Sequence, residues 1–156
     1  MRPYNLNLRH LKAFSVVARR GSVSAASTAI HLSQPAITQA IAKLEATLRA
    51  TLFVRSNKGM IATDGGLLLL NRAERSIEFI RLGARQVTRG SETRRGRGFS
   101  TLDQLITMSQ LRALMAVGDH GNFSLAARAV GISQPSLHRL ARDLEQLSGV
   151  VLFTKV

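Results

Sequence analysis

The sequence predicts a mainly α-helical chain that contains one small three-helix unit twice. Sliding the chain by 100 residues aligns residues 11–55 with 111–155 without a gap. Gly21 then meets Gly121, Ala26 meets Ala126, Ser33-Gln34-Pro35 meets Ser133-Gln134-Pro135, Leu44-Glu45 meets Leu144-Glu145, and Leu52-Phe53 meets Leu152-Phe153. Repetition at a fixed offset marks a duplicated structural unit. Within each copy the apolar residues recur at steps of three and four, the period of an amphipathic helix. With 45% hydrophobic residues but only six Phe and one Tyr, the chain can build an aliphatic core.

In the first copy, Leu8, Leu11, Phe14 and Val17 or Ala18 mark a helix that ends near Gly21. Residues 22–24 offer caps for a short second helix over 25–31, followed by a tight turn at Leu32. Ser33 is placed to cap a third helix whose first turn holds Gln34 and Pro35, where a missing N–H does no harm. Ile37, Ile41, Leu44 and Leu48 form its apolar stripe, leaving Pro35, Gln39, Ala42 and Lys43 on the opposite face. Two short helices joined by a tight turn, with a small and polar exposed end on the second, match a helix-turn-helix that enters a major groove. A plain three-helix bundle shares this periodicity. Residues 52–55 and 60–62 read as two short strands around the turn-forming Ser56-Asn57-Lys58-Gly59. That hairpin would be a wing carrying Arg55 and Lys58 toward phosphates, or simply a solvated basic hairpin.

Thr63 or Asp64 can cap a long helix to about Arg89. Leu70, Ala73, Ile77, Ile80, Ala84 and Val87 repeat in steps of three and four, a heptad ladder that predicts a seam against another helix. The partner is either a second copy of the chain, giving a dimer, or the second unit of the same chain. Residues 91–100, rich in Gly, Ser and Arg, read as a flexible basic linker.

The second copy expects a first helix with Met108, Leu111, Leu114 or Met115 and Gly118 inward, a second over 125–130 and a third over 134–146. In the third, Leu137, Leu140, Ala141 and Leu144 face inward, Arg139, Arg142 and Asp143 outward, and Ser136 and His138 lie at the flanks. The copy stops where the first begins its wing. The resulting layout is a winged helix-turn-helix over 1–63, a linker or dimerisation helix over 64–90, a basic linker over 91–100, and a second helix-turn-helix unit over 101–156 with an incomplete wing.

Charge points to the partner. Lys plus Arg number 22 against 9 Asp plus Glu, a formal net charge of +13 on 156 residues, which favours a polyanion. Nucleic acid leads; an acidic membrane surface is the rival, but no stretch approaches the roughly 20 apolar residues that span a bilayer. The first 20 residues lack a signal-peptide layout. With no cysteine, disulfides, thiolate zinc sites and cysteine redox switches are excluded, which fits a cytoplasmic, nucleoid-associated protein. His10, His31, His120 and His138 are not at metal-ligand spacing. Glu45 and Glu145 each sit late in a helix, placed to pair with a basic group rather than to act as catalytic acids. No enzyme activity and no cofactor are expected.

Leu11-Lys-Ala-Phe14, Gly21-Ser22, Ala25-Ala26, Ser33-Gln34-Pro35-Ala36, Leu44-Glu45, Leu52-Phe53-Val54-Arg55 and Thr63-Asp64-Gly65-Gly66 resemble the N-terminal signature of LysR-type transcriptional regulators. Gly121-Asn122-Phe123, Ala126-Ala127, Ser133-Gln134-Pro135-Ser136 and Leu144-Glu145 repeat it. The resemblance implies a winged helix-turn-helix that dimerises through the linker helix and binds pseudo-palindromic double-stranded DNA. It places Gln34, Pro35, Ala36, Thr38 and Gln39 at the major groove and Arg55 at the wing; the helical face and the hairpin add Lys43 and Lys58 as further candidate contacts. In the second copy the corresponding candidates are Gln134, Ser136, His138, Arg139 and Arg142. If both copies read DNA, they read different bases; alternatively the second is an assembly module. Family members carry one such unit and a two-lobed effector domain, so a small-molecule inducer is not expected to bind this chain, and a parent continuing past Val156 is expected, a naturally short product being the alternative.

Overall fold

The structure, a computed structural model, describes residues 6–57, 59–89 and 105–154. Lys58, the side chain of Val87 and the segment 91–100 lie outside the described residues. The described fold is mainly helical with one two-stranded sheet. The chain divides into two compact units between Glu78 and Phe79.

In the first unit, Asn7 accepts the Arg9 N–H and starts α1 (Leu8–Arg20), which stops at Gly21 in the left-handed conformation. Ser22 accepts the Ala25 N–H and starts α2 (Val23–Ile30), two residues earlier than the pattern suggested. His31, expected inside that helix, lies just beyond it with φ 53° and turns the chain. Ser33 then caps α3 (Gln34–Leu48) by accepting the Ala36 N–H. Phe14, Val17, Ala26, Ile37, Leu44 and Leu52 are almost wholly removed from solvent. Each of the larger side chains contributes about 1.5–3 kcal/mol by burial.

The wing pairs β1 (Phe53–Ser56) antiparallel with β2 (Gly59–Ala62), in register Phe53 with Ala62 and Arg55 with Met60. β1 lies one residue later than expected, because Leu52 is a core residue whose N–H is bound to Glu45, and β2 begins one residue earlier while ending at Ala62 as expected. Phe53 packs its ring 5.2 Å from that of Phe14. The Met60 N–H reaches the Gly21 carbonyl at 2.8 Å. A Cβ at Gly59 would run into that same carbonyl, and one at Gly66 into the carbonyl of Leu52. The wing is thus seated on α1 and on the start of α4 (Asp64–Arg89) at backbone-contact distance. Thr63, not Asp64, is the cap: its Oγ1 accepts the Gly66 N–H at 3.0 Å while donating to the Thr51 carbonyl at 2.7 Å.

The second unit contains α5 (Met108–His120), α6 (Phe123–Val130) and α7 (Gln134–Ser148), capped by Thr107, Asn122 and Ser133. Its core is Ala113, Ala116, Val117, Ala126, Ala127 and Leu137, with Phe123, Val130, Leu140 and Phe153 packed against it. This corrects the expected inward set in α5. Met115 is 65% exposed, Gly118 is exposed, and Met108, Leu111 and Leu114 are half-buried. Small alanines let α6 and α7 approach α5 closely, so the buried stripe lies over Ala113 and Ala116. Helix α6 starts at Phe123 rather than 125 because Asn122 accepts the Ser124 and Leu125 N–H groups. Residues 151–154 form no strand.

Candidate nucleic-acid interface

Helix α3 sorts its residues sharply by face. Ile37, Ala40, Ile41 and Leu44 are buried, while Gln34, Pro35, Ala36, Thr38, Gln39, Ala42 and Lys43 are exposed. A shallow open depression on this side is lined by Gln34, Pro35, Thr38, Gln39 and Ala42 together with Ser27 of α2. Ser27 was not singled out from the sequence. Its hydroxyl donates to the Leu32 carbonyl at 2.6 Å, holding the turn between α2 and α3, and nothing in helical periodicity marks such a contact.

Two polar contacts fix this surface. The carboxylate of Glu45 accepts the N–H groups of Leu52 and Phe53 at 2.8 and 3.4 Å, tying the end of α3 to the start of the wing. Glu145 repeats this with Leu152 and Phe153 at 2.9 and 3.0 Å. The expectation of a basic partner for these carboxylates is therefore corrected: their partners are backbone donors. On α1, the Arg19 Nε donates to Glu74 of α4 at 2.6 Å, and this hydrogen bond raises the guanidinium's pKa. His10 is held below the ordinary imidazole value of 6.5, first by burial and then by the charge of Lys43. Arg55 is exposed on β1.

In the second unit Gln134, Arg139, Arg142 and Asp143 are exposed. Ser136 is half-buried, its hydroxyl 2.8 Å from that of Ser133. His138 was expected at the flank of this face. It is half-buried, and its ring stacks on Phe123 at 4.1 Å and 4° between planes. One ring face is therefore spent on internal packing.

The ladder on α4 was expected to pack on a second copy, on the second unit of the same chain, or on both. Ala73, Ile77 and Ala84 are buried within the single chain, and Leu70 and Ile80 are half-buried. The exposed apolar residues of α4 are Leu67, Leu68, Phe79 and Leu82. At about 100° per residue, Leu68, Phe79 and Leu82 fall within about 60° of one another, opposite Ala73, Ile77 and Ala84. Heptad spacing reported an amphipathic helix correctly but could not say what covers which face.

A sequence model of the bacterial regulatory helix-turn-helix protein, lysR family, matches residues 8–67 and 108–156. The chain belongs to the LysR family. The HTH-type transcriptional regulator GalR of Pseudomonas putida is 32% identical over 149 residues, 96% of this chain and 36% of its own length, in an alignment that runs through both units. The nitrogen assimilation regulatory protein nac of Escherichia coli is 33% identical over 116 residues, 71% of this chain and 38% of that protein. This LysR-family chain thus spans little more than a third of these relatives' length. The crystal structure of a BenM_DBD/catB site 1 DNA complex shares the fold, with a TM-score of 0.53 over 56% of this chain and 97% of that one, at 23% identity. No described helix is long and apolar enough to cross a membrane.

Proposed function

We propose that this LysR-family chain is a sequence-specific DNA-binding regulator of transcription that reads the major groove with the exposed face of α3. The observation that carries the reading is the arrangement of Gln34, Pro35, Thr38, Gln39 and Ala42 around one open depression, over a fully buried stripe. The relatives named as transcriptional regulators and the excess of positive charge support it. Gln39 can form paired hydrogen bonds with an adenine edge, and the Thr38 methyl can pack on thymine. Lys43, Arg55 and Lys58 neutralise phosphates and set the register. The protein acts as a homodimer in the cytoplasm, with the exposed row of Leu68, Phe79 and Leu82 on α4 as its contact; it is not an enzyme and needs no cofactor.

Replacing Gln39 tests the reading. After selecting bound duplexes from random DNA, fluorescence anisotropy of Gln39→Ala should show a loss of about 1–3 kcal/mol on the selected site and much less on a random duplex. Equal losses on both would remove Gln39 from base reading.

A further inference from the structure

The two copies hold the same frame and show different surfaces. Helices α3 and α7 both begin Gln-Pro after a serine cap whose hydroxyl accepts the N–H three residues on. Both bury the residues at the fourth, eighth and eleventh positions, which are Ile37, Ile41 and Leu44 in one and Leu137, Ala141 and Leu144 in the other. Both end on a glutamate that binds the backbone N–H groups seven and eight residues on. Positions 100 residues apart therefore occupy equivalent places on the two helices. Where the first copy presents Gln39 and Ala42, the second presents Arg139 and Arg142, both exposed. Among the described residues neither guanidinium is held in an ion pair. Where the first copy has Thr28 and Lys43, the second has the exposed Arg128 and Asp143. The second surface thus carries three arginines against one aspartate, a net of two positive charges where the first carries Lys43 alone. His138, stacked on Phe123, supports this helix from beneath and leaves the arginines as the outward groups.

From this juxtaposition we infer that the second unit is a second reading head for double-stranded DNA, with a base preference unlike that of the first. Arg139 is its specificity-determining residue and takes a guanine. Gln39 matches the donor and acceptor pair of adenine, whereas a guanidinium matches the two acceptors, O6 and N7, of guanine in the major groove. Arg142, one turn further on, meets phosphate or the neighbouring base, and Asp143 accepts from a cytosine amino group or rejects bases that offer only acceptors there. Two exposed guanidinium groups without ion-pair partners among the described residues, on an otherwise shared frame, offer donor forks that fit guanine edges and phosphates. The whole chain then recognises two dissimilar base blocks rather than one block repeated. This inference rests on the DNA reading proposed for the first unit, and the test separates the two.

The experiment is site selection from random double-stranded DNA with the whole chain, as wild type, Gln39→Ala, Arg139→Ala and Arg139→Gln, with circular dichroism confirming the helical content of each. The wild type is expected to enrich two dissimilar blocks. Arg139→Ala should erase one guanine preference, a loss of roughly 10- to 100-fold in discrimination at that position, and Arg139→Gln should convert it to adenine. Gln39→Ala should alter only the other block. A motif that responds to Gln39→Ala but is unchanged by both Arg139 variants overturns this inference alone and leaves assembly as the second unit's role. A motif that responds only to the Arg139 variants supports it and overturns the first unit's part. A wild-type chain that enriches no motif overturns both.

Discussion

Gly66 shows how much depends on single atoms where the wing meets α4. A Cβ there would collide with the Leu52 carbonyl and crowd Ala62 at 3.3 Å, so backbone must move to admit it. Gly66→Ala is expected to destabilise the first unit by about 1–3 kcal/mol. Gly118, inside α5 with nothing within 4 Å of where a Cβ would stand, is the control. Gly118→Ala should stabilise the second unit by about 0.5–1 kcal/mol through helix propensity alone. Thermal denaturation of the two variants reads both effects, and shifts of the same sign would contradict this assignment. At this scale the exposed face of α3 was legible, because burial at Ile37, Ile41 and Leu44 fixes by geometry which side Gln39 and Lys43 take. Ser27 and the partners of Glu45 were not, because a hydrogen bond to main chain leaves no trace in side-chain pattern.

Among the elements, the three helices of each unit follow from their caps and apolar period; α2 and α6 begin two residues earlier than expected, α2 ends one residue earlier and α7 two residues later. Ser22 and Asn122 both start their helices earlier than the first apolar residue suggested. Helix α4 was less legible, since it carries apolar residues on two opposite faces. Ala73, Ile77 and Ala84 are covered by the chain itself, and the larger Leu68, Phe79 and Leu82 remain exposed. Phe79 and Leu82, one turn apart in that row, belong to the contact proposed between two copies. If that row joins two copies, Phe79→Glu, which places a charge in the contact, should shift sedimentation equilibrium from dimer toward monomer while circular dichroism stays unchanged. An unaltered dimer would move the contact to another face.

For the whole molecule, the repeat visible in the sequence corresponds to two three-helix units on one frame, and the differences between them carry the functional account. The first unit adds a wing seated on Gly21 and Leu52, while residues 151–154 of the second form no strand. The excess positive charge was legible from composition, but charge alone attracts any duplex, and its contribution falls steeply with salt. Base reading requires a fixed set of side chains, and the buried stripe of α3 with the Glu45 clamp fixes which side chains that helix exposes. The most direct test compares binding of the wild-type chain to a selected duplex and to a scrambled duplex of equal length and composition, over a range of salt concentrations. The account predicts that the selected duplex binds at least about 1,000-fold more tightly at physiological salt, with both affinities falling as salt rises. Equal affinity for the two duplexes at every salt concentration would show binding by charge alone and contradict it.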